Sequence, residues 1–104
     1  AITVINNLNA ELKALGITYY FSCAPICDGV TGTRSTAENL EKYYQKAVAR
    51  LDCPVISHPA DYRFANEQYY NSNYHLCTAA GIIRTDKTIE DLLAQWEYEQ
   101  SLSK

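Results

Sequence analysis

The chain has 104 residues, one domain at most, and at this length folding buries about 60–70% of the unfolded surface. Hydrophobic residues make up 47% and charged residues 20%, a globular rather than a disordered balance. A net charge of −3 with no clustered Lys/Arg run argues against nucleic-acid binding, and the longest apolar stretches are too short to span a bilayer. No signal peptide is expected at Ala1.

In chain order, Ile5, Leu8, Leu12 and Leu15 repeat at helical spacing, which predicts a helix over 3–15 with Gly16 as its stop. Ile17-Thr18-Tyr19-Tyr20-Phe21-Ser22-Cys23 is β-branched and aromatic and predicts a buried strand, ended by Ala24-Pro25. A turn-rich loop runs from Asp28 to Thr33. Ser35 and Glu38 then form a capping-box pattern that opens the clearest amphipathic helix, with Ala37, Leu40, Tyr44, Ala47, Val48 and Leu51 on one face. That helix is expected to end near Asp52, before a second short strand over 53–57 with Pro54 at its start.

From His58 to Tyr74 the chain is polar and aromatic, with one helical turn expected around Asp61 to Phe64. The last segment, 78–100, is expected to be helical, with Thr78 as N-cap and Ile82, Ile89, Leu92, Leu93 and Trp96 on one face. Arg84-Thr85-Asp86 marks a point where it breaks or restarts. Helices alternating with strands imply a parallel sheet. A parallel pair needs cover on both faces and is rarely built so small, so partner strands are expected from elsewhere, or from a second copy in a homodimer.

Tyr69-Tyr70-Asn71-Ser72-Asn73-Tyr74-His75-Leu76-Cys77-Thr78-Ala79-Ala80-Gly81, followed by Arg84-Thr85 and Ile89-Glu90-Asp91-Leu92, resembles the C-terminal block of SGNH/GDSL-type hydrolases of the bacterial cell surface. The resemblance implies a flavodoxin-like, three-layer α/β/α fold, incomplete here, with residues 1–104 as a single α/β segment from the C-terminal part of a larger domain. It also implies that His75 is the general base for a serine nucleophile, held at the carboxyl edge of the sheet. Asn71 stands where the pattern has Asp, and would orient the imidazole without offsetting its charge. In serine proteases a comparable Asp-to-Asn change costs about 10⁴ in turnover. The Gly-Asp-Ser block of the family is missing from this chain, so the resemblance implies a site that the missing N-terminal half must complete. An acylated cell-envelope glycan is the implied substrate, and an extracytoplasmic location the implied compartment.

The remaining candidates read more plainly. Asn71-Ser72-Asn73 has turn composition, and His58 before Pro59 suits a solvated strand end. Cys23, Cys27, Cys53 and Cys77 are expected as thiols behaving as small hydrophobes, with two disulfides as the alternative. Their spacing does not match the usual zinc knuckle, which leaves a cysteine-based metal or redox site as a minor reading; no cofactor is expected. Cys77 lies two residues from His75, a spacing that suits packing better than a nucleophile–base pair. Gly29-x-x-Gly32-Thr33 lacks the Lys of a phosphate loop and is expected as a turn. Tyrosines at 43, 44, 62, 69, 70 and 74 are candidates to rim a pocket, or simply pack. A non-catalytic module for assembly or glycan contact is the competing function.

Overall fold

A computed structural model describes residues 1–27, 36–69 and 75–103, apart from the side chain at 66. The capping-box Ser35, the turn at Gly29 and Gly32, Tyr70, Asn71 and Tyr74 lie outside the described residues. In order come α1 (Ile2–Ala14), β1 (Ile26–Cys27), α2 (Ala37–Arg50), a 3₁₀ turn (Pro59–Tyr62), β2 (Arg63–Phe64), a second 3₁₀ turn (Asn66–Gln68) and α3 (Thr78–Leu102).

The helix α1 ends as its sequence dictates. Gly16 takes φ +77°, its N–H bonds Lys13 O, and the N–H of Ile17 bonds Leu12 O. These are the two backbone bonds of a Schellman stop, and the positive φ is the reason the position favours glycine. The second helix begins one residue later than the capping box implies: Thr36 is the N-cap, its hydroxyl accepting from Asn39 N at 3.2 Å. Its far end is closed by α1, because the Asn6 carboxamide donates to Arg50 O at 3.0 Å and accepts from Asp52 N at 2.8 Å. One side chain thus ties the two helices together.

The chain is α/β, with a two-stranded parallel sheet among the described residues. The pairing is sparser than the sequence implies. In 17–23 only Phe21 pairs, through a parallel bridge to Val55, with Phe21 N bonding Pro54 O and Ile56 N bonding Phe21 O, both at 2.9 Å. Pro25 does not end the extended run. Ile26 and Cys27 continue it, pairing with Arg63 and Phe64, while Pro25 has no N–H to give and interrupts the ladder. The second pairing stretch falls where the sequence suggests a helical turn; that turn is shorter, over Pro59–Tyr62, and β2 follows it directly.

The third helix runs without a break through Arg84-Thr85-Asp86, and Thr78 is its first residue rather than its cap. Its orientation follows from three contacts. The Tyr20 hydroxyl donates to Glu99 at 2.7 Å, Ser57 donates to Asp91 at 2.7 Å, and Arg84 Nη2 donates to Cys23 O at 3.3 Å. As residue number rises along 20–23 it falls along α3, so α3 runs antiparallel to the strands and begins near their carboxyl ends.

Among the described residues the core is small: Cys27, Leu40, Leu51, Cys53, Tyr62, Phe64 and Ala80 are its buried hydrophobic residues. The accessible surface is 7397 Å², against about 5,900 Å² for an ordinary folded chain of this mass. The radius of gyration, 15.3 Å, likewise exceeds the roughly 13 Å of a compact domain this long. Much of the apolar surface that the sequence supplies is therefore left outside.

Candidate functional site

Asp91 lies on the inward face of α3 and accepts two hydrogen bonds on the same oxygen, Oδ2. Ser57 Oγ donates at 2.7 Å and the Tyr62 hydroxyl at 2.7 Å. Each hydroxyl has one proton, so Ser22 Oγ, 2.7 Å from Ser57 Oγ, is the donor in that pair. Thr88, 3.2 Å from Tyr62, gives its own proton to Arg84 O at 3.0 Å. Ser57 is 2% exposed and Tyr62 is fully buried. A carboxylate facing two sealed hydroxyls satisfies groups that would be costly to bury alone, and it locks α3 to both strand segments. Ser57 is thereby unsuited to act as a nucleophile: it is closed to solvent and its proton is engaged.

Cys23 borders this cluster, its thiol donating to Ser57 O at 3.6 Å. Burial, then the charges of Asp91 and Asp61, pushes the thiol up to about 11, with Arg84 opposing. A reactive or metal-binding cysteine needs the thiolate, so this environment disfavours both. Burial also raises the Cys53 thiol. All four cysteines are free, Cys27 and Cys53 buried and Cys23 and Cys77 half-buried. Among the described residues no three His, Cys, Asp or Glu side chains gather as metal ligands.

His58 is not a solvated strand end. Its Nδ1 accepts from Ala60 N at 3.1 Å, capping the 3₁₀ turn; Nε2 therefore carries the proton and donates to Glu41 Oε2 at 2.5 Å. The ring lies 4.4 Å from that of Tyr44. Glu41 is held below the usual carboxylate range, first by the Gln45 side chain and then by His58. The arrangement fastens α2 to the turn before β2.

His75 is exposed and lies three residues ahead of α3. An antiparallel bridge between Tyr69 and Leu76, with Cys77 N bonding Gln68 O at 2.7 Å, closes the loop that carries it. Its expected companion, Asn71, lies outside the described residues. Of the tyrosines, Tyr43 and Tyr44 line an open apolar groove of about 580 Å³ between the helices α1 and α2 and the strand segments. Tyr62 lies in the buried cluster instead, and Tyr69 in the bridge.

Sequence reasoning missed the Ser57–Tyr62–Asp91 cluster. The signal was present: Arg84, Thr88, Asp91, Gln95 and Glu99 recur every three or four residues, as regular a stripe as the apolar one beside it. Compared with family models, curated proteins and solved structures, the chain matches none.

Proposed function

We propose that this chain is the C-terminal, histidine-bearing part of an SGNH-like esterase or acyltransferase domain, a flavodoxin-like sandwich completed by another stretch of polypeptide. The observation that carries the reading is the antiparallel run of α3 against two parallel segments. It sets the start of α3 near the carboxyl ends of the strands, the side where open α/β sheets build their sites, and exposed His75 lies three residues before that start. The SGNH pattern around His75 gives the imidazole its role. A serine supplied by the missing block attacks an acyl carbonyl while His75 takes its proton. His75 then returns that proton to the leaving alkoxide. Without the serine and its oxyanion donors the imidazole has nothing to activate. An acylated cell-envelope glycan is the substrate class that the resemblance favours.

The test is a p-nitrophenyl acetate assay in two arms. The isolated chain gives no turnover above background. Together with a strand-turn-helix fragment carrying the Gly-Asp-Ser block, it gives turnover that His75→Ala abolishes and Asn71→Asp raises. Turnover by the isolated chain that disappears in His75→Ala would refute the incomplete site. A non-catalytic assembly module is the second reading, favoured by the exposed apolar face of α3.

A further inference from the structure

The five apolar residues of α3 that share a face are turned away from the core. Exposure runs from 42% at Leu92 to 60% at Ile82, and Ile89, Leu93 and Trp96 are about half exposed. The inward face is the polar one, held by Asp91 and Glu99. At 42–60% exposure, five side chains of this size present roughly 500 Å². Matched by an equal area on a partner, that reaches about 1,000 Å², the size a specific interface must clear.

Charge decides what suits this face. Asp86, Glu90 and Glu97 follow one another at intervals of four and seven residues, a single row along one border of the stripe. All three are exposed, and no ion pair among the described residues involves them. Two copies pairing antiparallel about a twofold axis would bring like borders together and set this acidic row against itself. An anionic bilayer would be repelled by the same row. A basic border is the complement.

We propose that the outer face of α3 docks an amphipathic helix of a partner protein whose apolar stripe is bordered by Lys or Arg. This docking rests on the surface of α3 alone and is independent of the hydrolase reading.

Trp96 is the one tryptophan of the chain and lies at the C-terminal end of this stripe, so its emission reports on the face. The probes are two synthetic helical peptides with the same leucine stripe, one bordered by lysine and the other by glutamate. The lysine peptide shifts Trp96 emission to the blue and saturates, with affinity that falls as salt rises. The glutamate peptide binds at least about tenfold more weakly. The triple variant Asp86→Lys, Glu90→Lys, Glu97→Lys, altered only at exposed positions, reverses the preference. Equal affinity for the two peptides, or no shift with either, overturns the proposal. So does a concentration-dependent dimer with Trp96 already shielded, or a shift on phosphatidylglycerol vesicles that the lysine peptide fails to give.

Discussion

Asp91 has more depending on it than any other polar residue described. Removing its carboxylate takes the charged acceptor from the hydroxyls of Ser57 and Tyr62 and leaves them only neutral neighbours, Ser22 and Thr88, so Asp91→Ala is expected to cost about 1.5–3 kcal/mol in urea unfolding. Tyr62→Phe removes one donor and is expected to cost about 1 kcal/mol. Because both act on one cluster, the double variant falls short of the sum. Cys23 gives a second check. Its thiol is raised from about 9 toward 11 in the fold, so the folded chain holds that proton where the unfolded chain has released it. Stability therefore falls as pH climbs from about 9 to about 11, and native-state alkylation of Cys23 stays slow at pH 8. Rapid labelling of Cys23 at pH 8 would contradict the sealed environment. None of this was legible residue by residue: Ser57 and Asp91 are 34 positions apart, and nothing local pairs them.

At the scale of elements, the three long helices and their stops were largely readable. Gly16 and the helix before it behave as local rules require, since a Schellman stop involves only residues a few positions apart. The start of α2 shifted by one because Thr36 and Ser35 are both competent caps, and only the geometry selects between them. Thr36→Ala is expected to cost about 1 kcal/mol, read as a lower unfolding midpoint with helical circular dichroism retained. An unchanged midpoint would mean that the cap is dispensable. The strands were less legible. The run 17–23 has every β-forming residue type, yet it pairs only at Phe21, and the longer pairing falls at Ile26–Cys27 after a proline. A strand is made by its neighbour, and sequence alone does not say which neighbour is present.

For the whole molecule, surface is the deciding quantity. An exposed area about 1,500 Å² above the norm means that folding buries less than usual for this length. The dependence of unfolding free energy on urea, which scales with the surface exposed, is expected to be about 15% shallower than for an ordinary 104-residue domain. Adding a fragment that completes the sheet should steepen it. A slope at the full value would show that the chain folds more compactly than described. The shortfall and the apolar face of α3 have one cause: side chains suited to a core lie exposed on the surface.

Local rules alone yield the helices, the glycine stop of α1 and the apolar and polar stripes of α3, because each depends on residues within a turn or two of one another; the closure of α2 by Asn6 and the strand pairings come from distant segments. Tertiary structure alone decided which stripe faces inward. Two buried hydroxyls, the half-buried Ser22 and one carboxylate, brought together from distant segments, bond as one cluster, which holds the polar face of α3 inward and leaves its isoleucines, leucines and tryptophan outside.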